Sequence, residues 1–98
     1  MERSNKVPVV LRDEYTMYLE LFDDLLWFHT DVHKWTPDVK RRFMDDMKTI
    51  VGLLGMPLFS LVEDSNKKLM KFAHSIGMQI QQELLANNGE KAFIYSWR

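Results

Sequence analysis

No cysteine occurs among the 98 residues, which excludes a disulfide framework, a thiolate nucleophile and any Cys-ligated zinc or iron–sulfur centre. Stability has to come from packing, and a reducing compartment is compatible. No apolar run approaches the roughly 20 residues that cross a bilayer. Met-Glu-Arg-Ser-Asn-Lys lacks the apolar segment of a signal peptide, so a soluble, intracellular chain and no membrane partner are expected. Neither sign of charge dominates: 13 Lys and Arg stand against 14 Asp and Glu, a formal charge of −1. That balance argues against the basic field of a non-specific nucleic-acid binder and against an acidic DNA mimic. Internal repeats and low-complexity tracts are missing too. What remains, 46% hydrophobic and 28% charged residues, suits one compact domain over residues 1–98.

The signals that are present are local. Val7-Pro8-Val9-Val10-Leu11 reads as a weak strand whose proline suits an edge. Between Asp13 and Phe22 the residues Tyr15, Tyr18, Leu19 and Phe22 recur at three- and four-residue spacing, which predicts a short helix. Leu25 to Val32 carries aromatic and β-branched residues and predicts a central strand. Thr36, Pro37 and Asp38 mark a helix start through capping, a missing N–H at the first position and the dipole. Val39, Phe43, Met47, Ile50, Val51 and Leu54 form its apolar stripe, and Gly55 ends it. Leu58 to Glu63 predicts another interior strand. Ser65 or Asp64 is the expected cap of a further helix with Leu69, Phe72, Ala73 and Ile76 inward, stopped at Gly77. Met78–Leu85 and Lys91–Trp97 should form a hairpin about Asn87-Asn88-Gly89. The predicted order is weak strand, helix, strand, helix, strand, helix, strand, strand, in a small α/β (α+β) mixed sheet with one parallel crossover.

From Leu25 to Trp97 this succession resembles the C-terminal half of a GNAT-type N-acetyltransferase domain. Asn66, Phe72 and Ile76-Gly77-Met78 are similar to that family's Asn…Phe-Tyr…Leu-Gly-Phe segment. Trp27-Phe28, Arg42-Phe43, Asn66 and Ser75-Ile76-Gly77 also resemble the acetyltransferase-like internal virion proteins of short-tailed bacteriophages. The resemblance implies an acetyltransferase-like core over 25–98 preceded by a strand and helix extension over 1–24. It implies a sheet shortened relative to the family, with an edge or face left for a covering partner. It also implies where a cofactor would sit: the turn before the long helix, where the family binds pyrophosphate on glycine-rich backbone.

Here that turn is His33-Lys34-Trp35-Thr36-Pro37-Asp38, without glycine. Proline removes a donor, Trp35 obstructs backbone approach and Asp38 repels an anion. Ala73 stands where the family has a proton-donating tyrosine. These departures predict no catalytic residue, no cofactor and no small-molecule substrate. The expectation is a non-catalytic phage accessory protein in the host cytoplasm or the virion, acting through a protein partner or self-association. Trp35, Tyr15, Tyr18, Tyr95 and Trp97 are the expected contact residues, and Met17, Met44, Met56 and Met70, lying beside the main stripes, suit an adaptable surface. An acetyl-CoA-dependent N-acetyltransferase holding its cofactor through Asn66 and Thr36 is the first alternative. The second is a metal-binding protein, because His29, Asp31 and His33 are spaced by two and project from one strand face. No Gly-x-Ser-x-Gly context surrounds Ser4, Ser60, Ser65, Ser75 or Ser96. Asp23-Asp24 and Glu63-Asp64 read as element ends facing water, and Lys40-Arg41-Arg42 and Lys67-Lys68 as solvated helix faces.

Overall fold

Residues 15–22 satisfy two periods at once, and the shorter one prevails. In the computed structural model, which describes residues 6–85 and 87–97, Tyr15–Phe22 is strand β2, not the expected helix. Tyr15, Met17 and Leu19 alternate into the core, and Tyr, Thr and Phe suit a pleated surface better than a helix. Its hairpin partner decides the matter. β3, Leu25–Val32, pairs antiparallel with β2 in unbroken register from Tyr15 opposite Val32 to Phe22 opposite Leu25. Asp23 and Asp24 alone make the turn, at φ 55° and 61°. Positive φ at both central residues matches the right-handed twist of the flanking strands, and Asp tolerates it better than most residues.

The strand preceding this hairpin is β1, Val7–Leu11, which pairs antiparallel with β2 and carries a bulge between Pro8 and Val10. Further along come α1 (Pro37–Leu54), β4 (Leu58–Glu63), α2 (Lys67–Ser75), β5 (Gln79–Leu85) and β6 (Lys91–Trp97). The strand order in the six-stranded mixed sheet is β1-β2-β3-β4-β6-β5. Pro8 therefore lies on an edge strand, where a missing N–H is tolerated. Among the described residues there are two helices rather than three. The chain packs as two compact units, one reaching to Leu58 and the other Phe59–Trp97.

In the first unit, α1 is held at both ends as its sequence demands. Thr36 Oγ1 accepts from the Val39 N–H at 3.2 Å, Pro37 opens the helix, and Gly55 closes it at φ 66° with its N–H on the Val51 carbonyl. Val39, Phe43, Met47 and Ile50 are buried, whereas Leu54 at the end of the stripe stays exposed. Phe43 is the centre of the cluster. Tyr15, Trp35 and Phe28 stand edge-on to it at ring separations of 4.9, 5.4 and 6.0 Å. Burying such a ring contributes about 2–3 kcal/mol, and edge-to-face contacts add to that. A polar lock lies beside this cluster: Asp46 accepts from Arg12 Nε at 2.7 Å, Arg12 Nη2 at 2.9 Å and the Tyr15 hydroxyl at 2.5 Å.

In the second unit the cap of α2 is Asn66, whose Oδ1 accepts from the Leu69 N–H at 3.1 Å; neither Ser65 nor Asp64 takes that role. The helix ends in a Schellman arrangement. Met78 N–H donates to the Ala73 carbonyl and Gly77 N–H to His74, with Gly77 at φ 87°. Ala73 and Ile76 are buried, while Leu69 stays 37% exposed, so the inward face is narrower than its sequence implied. β5 and β6 pair antiparallel, with Trp97 Nε1 donating to the Ile76 carbonyl at 2.8 Å.

Candidate active site

A strand presents alternate residues to opposite faces, so the register of β2 against β3 sorts the chemistry of the first unit. Tyr15, Met17, Leu19 and Phe28 lie on the face that meets Phe43 and its neighbours. The opposite face carries Thr16 across from Asp31, Tyr18 across from His29, and Glu20 across from Trp27. Diagonal neighbours on that face reach each other. His29 Nε2 lies 2.9 Å from Glu20 Oε1, and the Tyr18 hydroxyl donates to Asp31 Oδ2 at 3.0 Å.

The Glu20–His29 pair has the asymmetry of a proton-handling dyad. The Glu20 side chain is only 4% exposed, whereas that of His29 is 31% exposed. A buried carboxylate is stabilised by hydrogen-bond donors, and in the tautomer with its proton on Nε2 the ring donates to Glu20. In that tautomer Nδ1 carries the lone pair. The ring is oriented by its buried partner in the way a catalytic histidine is oriented by a carboxylate.

Asp31 and His33 do not join it. Asp31 is bonded by Tyr18, and His33 lies beyond the strand, its N–H donating to the Glu14 carbonyl at 2.8 Å. Among the described residues no three His, Asp or Glu side chains are grouped to hold a metal. His29 and Asp31 are each turned to a partner on β2, so the three residues singled out by their spacing are not gathered into one group.

The turn between β3 and α1 is pinned by Glu14, whose carbonyl accepts from His33 and, at 3.2 Å, from Lys34 N–H. Arg42 bonds the Glu14 carboxylate at 3.1 Å. Thr36 and Asn66, the two residues assigned to a cofactor, both serve as helix caps through their side-chain oxygens. Asp38, expected to repel an anion, is paired with Arg41 at 3.2 Å, which offsets its charge.

Of the five expected contact residues, three do not reach the surface. Tyr15 and Tyr95 are fully buried and Trp97 is 8% exposed. Tyr15 is committed to Asp46, Tyr95 to His74 Nε2 at 3.1 Å and Trp97 to Ile76. Their polar tips are hydrogen-bonded and their rings are buried, so these aromatics are core. Trp35 and Tyr18 retain exposure. Burial pushes the Tyr95 phenol above its ordinary value. Ala73 is buried and has no proton to give. Glu20 was missed by sequence reasoning because a lone acid in an apolar stretch has no visible partner. Only a strand assignment for Tyr15–Phe22, with the Asp23-Asp24 turn setting the register, brings it to His29.

No protein-family model matches the sequence, and no curated protein matches it. Solved structures do. A spermidine N-acetyltransferase SpeG chimera from Vibrio cholerae and hSSAT superposes with a TM-score of 0.63 at 12% identity, covering 84% of this chain and 57% of that one. A GnaT-family acetyltransferase from Bordetella pertussis gives 0.63 at 10% identity, covering 87% of this chain and 57% of that one. A second SpeG–hSSAT chimera gives 0.58 at 8% identity, covering 86% and 66%. The chain thus spans about 57% of the length of the first two structures. Likeness at this identity establishes the fold, which is GNAT-like. It also corrects the expectation of a non-catalytic phage accessory protein: the neighbours are acetyltransferases, and they fit the acetyl-CoA-dependent alternative better.

Proposed function

We propose that the chain is an acetyl-CoA-dependent N-acetyltransferase domain in which His29, oriented by Glu20, takes the proton from the acceptor amine. The observation that carries this reading is the partly exposed imidazole of β3 held at 2.9 Å by a carboxylate that is itself almost fully buried. An ammonium cannot attack a thioester until it loses a proton, and a positioned histidine contributes typically ~10²–10⁴-fold to such a step. The GNAT-like fold supports the same reaction class.

Coenzyme A is the group this fold implies, and the start of α1 fits its diphosphate by charge rather than by a glycine cradle. Lys34 and Lys40 flank the positive end of an 18-residue helix, and Asp38 is already paired. These two lysines and the first turn would hold the anion, and the bound cofactor would supply the acetyl thioester. Trp35, packed on Phe43, restricts the approach to that turn. The likeness to phage internal virion proteins rests on residues 27–28, 42–43, 66 and 75–77 alone, and the solved structures do not bear on it.

Titration calorimetry with acetyl-CoA, followed by acetylation of spermidine as a first amine probe, tests the proposal. Binding should be saturable, and His29→Ala should lower kcat about 10²–10⁴-fold while leaving acetyl-CoA affinity unchanged. Absence of binding at millimolar cofactor, or an active protein indifferent to His29→Ala, overturns it.

A further inference from the structure

The turn joining β5 to β6 holds the one Asn-Gly pair of the sequence, Asn88-Gly89, in an arrangement suited to a covalent change. From this arrangement we infer that Asn88 is a site of spontaneous deamidation in the folded protein, independent of any acetyltransferase activity.

The chemistry requires the Gly89 backbone nitrogen to attack the Asn88 side-chain carbonyl carbon. Three observations favour it. Asn88 and Gly89 are both exposed at a loop tip, where the chain can make the small movement that attack demands. Gly89, at φ 82°, has no Cβ to obstruct the approaching atoms, and even a Cβ built there would meet nothing within 4 Å. Asn88 Oδ1 accepts the Glu90 N–H at 2.9 Å. That last bond is the decisive one. As the nitrogen adds, negative charge develops on Oδ1, and a backbone N–H already aimed at that oxygen stabilises it in the manner of an oxyanion hole. The same bond polarises the carbonyl beforehand.

The step balances without an outside oxidant or reductant. The Gly89 N–Cγ bond forms, the Cγ–Nδ2 bond breaks, and the amide proton of Gly89 leaves with the amine as ammonia, giving a five-membered succinimide. Solvent water then opens that ring at either carbonyl, yielding aspartate or isoaspartate. Isoaspartate routes the main chain through Cβ and lengthens the turn by one bond. The residue displaced is Glu90, whose carboxylate accepts the Ser65 N–H at 3.2 Å just ahead of α2. The Ser65 contact also holds the Glu90 carboxyl below its ordinary range.

The experiment incubates the intact chain at slightly alkaline pH, with and without denaturing urea. It follows ammonia release, the more acidic species on ion exchange, and the modified position by peptide mapping. The expected result is conversion at Asn88 ahead of Asn66 and Asn87, at a rate in the folded chain equal to or above that in urea, and its loss in Asn88→Gln. A folded rate below the unfolded one, or earlier conversion at another asparagine, overturns the inference.

Discussion

Replacing Tyr15 by phenylalanine deletes one oxygen and leaves the ring against Phe43, so it isolates the hydroxyl's bond to Asp46 without opening a cavity. Hydrogen bonds to charged groups contribute about 1.5–3 kcal/mol. Asp46 Oδ2 also accepts from Arg12 Nε at 2.7 Å, so the variant leaves no orphaned acceptor and the loss belongs at the lower end, about 1.5 kcal/mol. For a chain of this size that corresponds to a fall in Tm of roughly 6–12 °C. The pH dependence gives a second, independent reading. Burial pushes the Asp46 carboxyl up, but the bonds from Arg12 and Tyr15 outweigh it, and the group titrates below its ordinary value. A depressed carboxyl stabilises the fold at every pH above the unfolded value, and that stabilisation is lost as pH falls through the folded one. Urea titrations followed by tryptophan fluorescence should therefore show the wild-type advantage over Tyr15→Phe narrowing as pH falls below the ordinary carboxylate range. A difference below about 0.5 kcal/mol at neutral pH, small beside a typical charged hydrogen bond, or one unchanged in acid, would refute the reasoning.

Other consequences follow from single positions. Thr36→Ala should cost about 1 kcal/mol by removing the cap on Val39 N–H, read as a lowered Tm by circular dichroism. Asp24→Gly should stabilise by a few tenths to about 1 kcal/mol, since glycine adopts the observed φ of 61° without strain; a lower midpoint in urea would contradict the turn geometry. Gly77→Ala should destabilise by about 1–2 kcal/mol, because an L side chain is strained at φ 87°. The new methyl would also meet Trp97 Nε1 at 3.5 Å, so a shift in tryptophan emission should accompany the loss.

Much of this fold was written in local chemistry. Thr36-Pro37 and Gly55 bound α1 because caps, a missing N–H and left-handed backbone act within one turn of chain. Gly77 ends α2 for the same reason, and Asn88-Gly89 sits in the turn between β5 and β6. Pro8 on an edge strand was equally legible, since proline's missing donor is a property of the residue itself. The segment Tyr15–Phe22 was not: its apolar residues fit a 3.6-residue and a two-residue period alike. Only the partner strand, joined through two aspartates in the left-handed region, selects between them. The candidate site depends on that selection, because a helix would have separated Glu20 from His29. Exposure was likewise a tertiary matter. Tyr15, Tyr95 and Trp97 are large enough to dock a partner, and their burial depends on whether the fold offers their polar tips a hydrogen-bond partner, which Asp46, His74 and Ile76 do. Sequence by itself determined where α1 begins and stops and where α2 ends, since those signals are short-range. Which face each residue occupies and which charges meet across strands were decided by tertiary pairing, because contacts between residues distant in the chain carry no local signature.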